Sequence, residues 1–474
     1  MCEVKTMVAL DCGNSSFRVV LGQFENGKLE TTVMSQIPNN MVKIGEYYYW
    51  DLLYIFGEFK KTLKEIASKY EKIDSIGICT WGVDFALFDE NGYMLSNPLS
   101  YRNVIGEEVL EKLSEEEKKV LFEETGILCD KINSVYMLSG MKRLFPRVYE
   151  NAKVCLMVPD ILNYFLTGEM VNEPSELSTT QLMDARTRTI NKKVCSMFGL
   201  CDEMFPKLGK HGEVIGNVRK DILEELGIAY EIPVICVPSH DTASAVAAIP
   251  ATEERFGFIS CGTWSLIGTE LEEPIINDNV IESNLTNEVG AFGKITLLKN
   301  SAGMFIVNQL KKEYDALCGR KVSWDEISTL AESNESQATI DLNDTDFFNP
   351  ISMSNAIWEY LLKTKQVCGE KDWGILFKTF YKSLAKCYAS TICDIEKVTD
   401  KVFEKIYIVG GGSASRILLK LTAEYVGKPI VVCYGESTSM GNLAVQLKFF
   451  NPELELSDLR KIISNSYKTE EFIV

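Results

Sequence analysis

The sequence has only two histidines, His211 and His240, and none of its 14 cysteines stands in a C-x-x-C pair. Metal centres built from imidazoles or paired thiolates are therefore excluded, and histidine-assisted nucleophilic chemistry would rest on one of two residues. No apolar run approaches the roughly 18 residues of a membrane span. The start of the chain shows neither a long apolar segment nor a small-residue cleavage site. A basic block is also missing: 49 Lys and Arg stand against 67 Asp and Glu, a formal net charge of −18. Such a chain is not built to meet nucleic acid or an anionic membrane as its main partner. The P-loop pattern and the dinucleotide G-x-G-x-x-G with an acidic partner are both absent. The cysteines, spread from Cys2 to Cys433 and many of them beside apolar residues, read as buried, reduced thiols of a cytoplasmic protein.

What is present is an ordinary globular composition, 46% hydrophobic and 24% charged, over 474 residues. That length suits two large α/β domains. The sharpest local feature is the apolar run Met7 to Leu10, then Asp11-Cys12-Gly13-Asn14-Ser15-Ser16, then a second β-rich run from Phe17 to Phe24 that ends at Asn26-Gly27. This predicts a strand, a polar turn, a second strand and a hairpin turn. The same grammar returns at Phe256 to Ile267, around Cys261-Gly262-Thr263-Trp264-Ser265. A repeat at half-chain spacing predicts a duplicated domain, with two hairpin loops facing one cleft and a boundary near Pro250, giving 1–249 and 250–474. Helices are predicted over Leu52 to Tyr70 and over the charged stretch Glu107 to Glu124, and after Asp241. A strand-loop-helix-strand unit is predicted from Ile406 to Cys433, and a last helix near Gly441 and Asn442, capped by Glu436 to Ser439.

Four segments carry candidate chemistry. In the first turn Asp11 can hold Mg²⁺ through water, while Asn14, Ser15, Ser16 and Arg18, together with Thr263 of the second turn, can donate to phosphate oxygens. Gly410-Gly411-Gly412, after a strand and before a helix, lets bare backbone approach a phosphate or nucleotide. Asp241, at a helix start, stays ionised there and is the candidate general base, with His240 beside it to bond a sugar hydroxyl. Thr80-Trp81-Gly82-Val83-Asp84 combines a flat ring, a bare backbone and a carboxylate, as sugar pockets do. Each has a plainer reading: ordinary β-turns, a glycine-closed βα turn, an N-cap aspartate and a core tryptophan.

Taken together these segments resemble the FGGY family of carbohydrate kinases, and within it the rhamnulokinase branch. The resemblance is carried by Asp11 to Arg18, Ile73 to Phe85, Ser239 to Val246, Ser260 to Leu266, Leu285 to Glu288, Leu298 to Asn300 and Ile408 to Gly412. It implies two actin-like (RNase H-like) α/β domains flanking an ATP and sugar cleft. The sugar site, first phosphate hairpin and catalytic Asp would lie in 1–249, and the second hairpin and adenosine site in 250–474. It implies ATP-dependent phosphorylation of the 1-hydroxyl of L-rhamnulose, with L-fuculose or another ketose as the alternative, Asp241 as base, and ATP and Mg²⁺ required. Carried over by position, Trp81, Gly82, Arg102, His240, Asp241, Thr242 and Asn300 would meet the sugar. Asn14, Ser15, Ser16, Phe17, Arg18, Thr263, Asn308, Gly411 and Gly412 would meet ATP, and Asp11 the metal. The partners implied are a small ketose and ATP, with the chain a monomer or homodimer. Cys79 and Asn103 stand where the branch usually shows Asp, Asn308 replaces a Gln, and Ser415 replaces an Asn. The first two are expected on the sugar side, where a lost acceptor would redirect specificity. A non-catalytic sugar or nucleotide sensor on the same fold is the reading from another class.

Overall fold

The computed structural model describes residues 4–347 and 350–473. Contacts divide the chain into two compact units. The first is Met1–Thr252 with Glu270–Leu297 and Glu436–Ser466, and the second is Glu253–Thr269 with Leu298–Gly435 and Tyr467–Val474. The chain thus leaves the first unit near Thr252 and returns to it twice.

In the first unit, β1 (Lys5–Cys12), β2 (Ser16–Glu25) and β3 (Lys28–Pro38) form an antiparallel meander. Asn26 and Gly27, at φ 51° and 78°, make the tight turn between β2 and β3, the backbone that Asn-Gly adopts most readily. Helix α1 (Leu52–Lys69) follows, started by Asp51, whose side chain accepts from the Tyr54 N–H. Its buried residues Leu52, Ile55, Phe59, Leu63 and Ile66 recur at helical spacing and pack on Val8, Leu10, Phe17, Val19, Ile76 and Ile78. β4 (Ser75–Thr80) pairs parallel to β1, and β6 (Pro233–Ile235) parallel to β4, while β5 (Val214–Asn217) closes that edge antiparallel. The order is β5-β6-β4-β1-β2-β3.

In the second unit, β7 (Phe256–Cys261) and β8 (Trp264–Leu271) repeat the opening hairpin, one residue tighter. The Gly13 N–H bonds the Ser16 carbonyl at 3.0 Å, and the Gly262 N–H bonds the Trp264 carbonyl at 2.8 Å. β9 (Lys405–Val409) pairs parallel to β7 and β10 (Ile430–Tyr434) parallel to β9, with β11 (Lys468–Phe472) antiparallel at the edge. Both units are therefore mixed α/β, each with parallel strands beside an antiparallel hairpin.

Three local expectations need correction. The stretch Glu107 to Glu124 is two helices, Ile105–Leu110 and Glu115–Thr125, because Ser114 and Glu117 form a capping box that starts a new helix. The helix expected near Gly441 starts earlier and runs Ser437–Phe450, and Glu436 makes no side-chain cap but pairs with Arg18. Of the described cysteines, all free, Cys12, Cys79, Cys155, Cys195, Cys236, Cys261 and Cys433 are buried as expected, whereas Cys201, Cys318, Cys368 and Cys393 are exposed. Cys2 lies outside the described residues.

Helix Ser437–Phe450 lies on the first sheet through buried polar side chains. Gln446 donates to the Val8 carbonyl at 3.1 Å and accepts from Ser75 Oγ at 2.6 Å, and Asn442 donates to Cys79 Sγ at 3.4 Å. Gly77 makes room for this: a Cβ there would stand 2.4 Å from Asn442 Oδ1.

Candidate active site

Open α/β sheets bind ligands beyond the carboxyl ends of their parallel strands. In the first unit three such ends are stitched together. The Trp81 N–H bonds the Cys12 carbonyl at 3.0 Å, and the Thr80 N–H bonds the Ser239 carbonyl at 2.8 Å. Asp11, the Thr80–Asp84 segment and the His240–Asp241 pair therefore share one sheet edge.

Asp241 opens the helix Asp241–Ala247, with His240 as its N-cap residue. Thr242 Oγ1 donates to Asp241 Oδ1 at 3.2 Å, and His240 Nε2 faces the same oxygen at 3.5 Å. Burial pushes the Asp241 carboxyl up, while the His240 charge and the Thr242 hydroxyl pull it back. Its side chain still keeps 34% of its surface exposed, so a hydroxyl can reach it. His240 Nδ1 lies 3.3 Å from Oε2 of Glu288, on the strand Thr286–Val289. Burial disfavours the imidazolium, but the Glu288 and Asp241 carboxylates outweigh it and lift the ring to about 9.

A second layer fixes the backbone of His240. Its N–H donates to Ser175 Oγ at 3.2 Å, and that hydroxyl donates to Glu173 Oε2 at 2.6 Å. Glu173 Oε1 is 2.5 Å from His211 Nε2, and His211 Nδ1 accepts from the Phe292 N–H at 2.8 Å. Since Nδ1 accepts, the His211 proton sits on Nε2, which donates to Glu173. Glu288, Glu173 and Ser175 are missing from the site as read in the sequence. Glu288 ends a string that carries the resemblance and His211 is one of only two histidines, but the contacts that give them meaning span tens of residues.

The Gly82–Asp84 segment is strained. The Asp84 N–H bonds the Gly82 carbonyl at 3.0 Å across Val83, whose φ of 70° is a left-handed value that a β-branched residue rarely takes. A Cβ on Gly82 would meet His240 Nε2 at 3.2 Å, so the bare backbone is what lets the imidazole approach. Trp81 is core: its side chain is buried and its ring lies 4.2 Å from that of Trp50. The two indoles hold Asp84, donating to Oδ2 at 3.0 Å from Trp81 and 2.5 Å from Trp50. Burial raises Asp84 to about 7 against those two bonds. Arg102 is exposed, its guanidinium 5.7 Å from the centre of the Tyr101 ring.

The two positions expected to redirect specificity do not offer free groups. Asn103 accepts from the Tyr48 N–H at 2.9 Å and donates to the carbonyls of Tyr48, at 2.9 Å, and Ser100, at 2.7 Å. An aspartate could not donate to either carbonyl. Cys79 is fully buried, its thiol against the Leu10 carbonyl and Asn442. Both side chains are thus committed to partners within the protein.

On the first phosphate turn, Asp11 and Arg18 pair across β1 and β2. Asp11 Oδ2 accepts from Ser439 Oγ at 2.8 Å and lies 4.0 Å from Arg18 Nε, and Arg18 also pairs with Glu436. Burial raises Asp11 to about 6, opposed by Arg18 and Ser439 and assisted by Asp241. Ser15 is exposed, Asn14 and Ser16 are half-buried, and Asn14 Oδ1 accepts no hydrogen bond among the described residues. Phe17 is fully buried against Tyr54, so only its backbone can serve a ligand. Among the described residues no three His, Cys, Asp or Glu side chains gather as a metal cage. The single Asp11 carboxylate beside the hydroxyl-rich turn is the kind of donor Mg²⁺ would use, since that ion takes one or two carboxylates and completes its shell with water and phosphate oxygens.

In the second unit the Cys261-Gly262-Thr263 turn organises its neighbours. The Met304 N–H bonds the Gly262 carbonyl at 2.9 Å and the Phe305 N–H the Thr263 carbonyl at 3.3 Å, which anchors the helix Phe305–Cys318. Thr263 is exposed, as is Asn308 in that helix's first turns and Asn300 on the strand Ile295–Ala302. The three glycines differ in role. A Cβ on Gly410 or Gly412 would stand 2.8 Å from the Cys261 carbonyl oxygen or 2.0 Å from its sulfur, while none of the described atoms lies within 4 Å of one on Gly411. Gly411 is the exposed one.

Comparison with known proteins agrees with this architecture. Residues 6–248 match the N-terminal domain, and residues 257–448 the C-terminal domain, of the FGGY family of carbohydrate kinases. A rhamnulokinase of Oceanobacillus iheyensis is 34% identical over 461 residues, 97% of this chain and 96% of the relative. That of Bacteroides thetaiotaomicron is 34% identical over 463 residues, covering 97% and 93%. Among solved structures, a ligand-bound xylulose kinase from Lactobacillus acidophilus superposes with a TM-score of 0.83 at 14% identity, covering 99% of this chain and 94% of that one. Plasmodium falciparum glycerol kinase with ADP gives 0.77 at 14% identity, covering 98% and 94%. At such identities these neighbours establish the two-domain, actin-like fold. No described helix is long and apolar enough to cross a membrane. The chain belongs to the FGGY family of carbohydrate kinases, a family of phosphotransferases.

Proposed function

We propose that this kinase transfers the γ-phosphoryl group of ATP to the 1-hydroxyl of L-rhamnulose, with Asp241 as general base. The observation that carries the reading is the Asp241 carboxylate. It stands at a helix start on the carboxyl edge of parallel strands, a third exposed, and is braced by Thr242 and a charged His240. Burial makes it a stronger base than a free aspartate, and the neighbouring positive charge keeps it ionised. As the sugar oxygen bonds to phosphorus, Asp241 takes its proton, and the bond from phosphorus to the ADP oxygen breaks. Gly82 leaves backbone bare beside His240, and that pair, with Thr242, Arg102 and Asn300, orients the ketose. Trp81 acts from behind by fixing Asp84.

For ATP, the reading uses Asn14, Ser15, Ser16 and Arg18 of the first turn, the Phe17 backbone, and Thr263, Asn308, Gly411 and Gly412 of the second unit. Mg²⁺, held through Asp11, would neutralise charge on the phosphates. L-rhamnulose is preferred over L-fuculose because the curated relatives at 34% identity are rhamnulokinases, and because Cys79 and Asn103 have internal partners. The test is ADP release with Mg·ATP across L-rhamnulose, L-fuculose, L-ribulose, L-xylulose and D-xylulose. Stimulation greatest for L-rhamnulose and lost in Asp241→Asn is expected. Preference for another ketose would overturn the substrate, and ATP binding without stimulation by any sugar would favour a sensor.

A further inference from the structure

We propose that Glu288 is a positioning residue: its carboxylate, facing Nδ1 of His240 at 3.3 Å, holds that ring as an imidazolium whose Nε2 presents positive charge to Asp241. The inference rests on the reading of Asp241 as the base.

A neutral imidazole has one N–H and one lone pair, so between two carboxylates it would aim the lone pair at one of them. His240 has a carboxylate within ion-pair distance of each nitrogen, Glu288 at 3.3 Å from Nδ1 and Asp241 at 3.5 Å from Nε2. Neither contact has the geometry of a hydrogen bond, so both act through charge, and only the doubly protonated ring turns a proton toward each. The His240 and Glu288 side chains are 10% and 12% exposed, so water screens this pair little.

The groups that face the ring are all acidic. Asp241 comes from its own helix, Glu288 from the strand Thr286–Val289, and Glu173 from the N-cap of the helix Pro174–Ser178, and each favours the charged ring against burial. Around Asp241 the ranking is different. Burial is the largest influence and raises the carboxyl, His240 is the largest that lowers it, and Glu288 acts directly in the raising sense but more weakly. Asp11 and Glu176 also sense Asp241. The direct effect of Glu288 on the base is thus adverse and small. Its useful effect passes through the charge it maintains on His240, and removing it makes Asp241 lose its main counter-charge at a lower pH.

Because the chain has only two histidines, ¹⁵N-imidazole NMR of the full-length protein resolves both rings, and His240→Asn assigns them. The wild-type His240 ring is expected to be doubly protonated at pH 7.5 and to titrate near 9, while His211 shows the neutral Nε2–H form. Glu288→Gln is expected to lower the His240 midpoint by at least about one pH unit, with Glu288→Asp restoring part of it. The alkaline limb of sugar-dependent kcat/KM then moves to lower pH with that midpoint, a loss of about tenfold for each unit on the limb. In a His240→Asn background, Glu288→Gln is expected to change kcat/KM by less than about twofold, since the charge it maintained is already gone.

An unmoved His240 midpoint in Glu288→Gln overturns the proposal. So does an equal loss from Glu288→Gln with and without His240, which a purely structural strand contact would give. Sugar-dependent turnover surviving in Asp241→Asn overturns the base reading instead, and the NMR titration reports on Glu288 independently of that result.

Discussion

Gly441→Ala tests how closely the base is tied to the fold. Gly441 lies in the helix Ser437–Phe450, and a Cβ there would stand 1.8 Å from the Ser244 carbonyl oxygen and 2.8 Å from its carbon. Ser244 is one turn beyond Asp241 in the same helix. Both clashing atoms are backbone, so no rotamer change relieves them. Reaching even a 3.0 Å contact requires the two helices to separate by about 1.2 Å. Overpacking of this kind costs roughly 1–3 kcal/mol, which corresponds to a Tm lower by roughly 2–12 °C. A displacement of about 1 Å in a catalytic group costs about 10²-fold in rate, so kcat/KM is expected to fall by that factor. Differential scanning fluorimetry and coupled ADP-release kinetics read both quantities. Gly57→Ala is the control. It lies in the helix Leu52–Lys69 with none of the described atoms within 4 Å of an added Cβ, and should stabilise by about 0.5–1 kcal/mol. A Gly441→Ala protein with wild-type Tm and kcat/KM would refute the reasoning that helix contact places Asp241.

Two further expectations separate structure from binding. Gly412→Ala, with its Cβ 2.0 Å from Cys261 Sγ, should lower Tm, whereas Gly411→Ala should leave Tm unchanged and raise the KM for ATP. Equal effects of the two on Tm would show that Gly411 serves the fold. For pH, the buried Asp84 has its folded-state pKa raised from 3.8 to about 7. Its contribution to stability is therefore fully present below pH 3.8 and is lost as the pH rises through about 7. Asp84→Asn should flatten the fall in unfolding free energy across that window by up to about 1.4 kcal/mol per pH unit. Urea unfolding at several pH values checks this, and an unchanged slope would contradict it.

Local chemistry made much of the fold and site legible. Asn26-Gly27 marks a hairpin because few residues tolerate its left-handed turn geometry, the two Cys-Gly turns are marked by polar residues set between apolar runs, and the spacing from Leu52 to Ile66 marks a buried helix face. Asp241 is placed at a helix start by the small-residue run that follows it. What the sequence hides is long-range. Gly441 reads as a helix start but is a close helix contact, and Trp81 reads as a stacking face until Trp50 is seen to cover it. Asn103 reads as a missing sugar acceptor but is spent on the backbone of Tyr48 and Ser100. The capping box at Ser114 and Glu117 was legible in the sequence, yet the charge of the surrounding stretch masks it.

The central claim is phosphoryl transfer to the 1-hydroxyl with Asp241 as base, and the direct measurement is ³¹P and ¹H NMR of the product formed from L-rhamnulose and Mg·ATP. The wild-type enzyme is predicted to give the 1-phosphate, and Asp241→Asn to form it about 10²–10⁴-fold more slowly. Phosphate at another hydroxyl, or an Asp241→Asn enzyme as fast as wild type, would contradict the account.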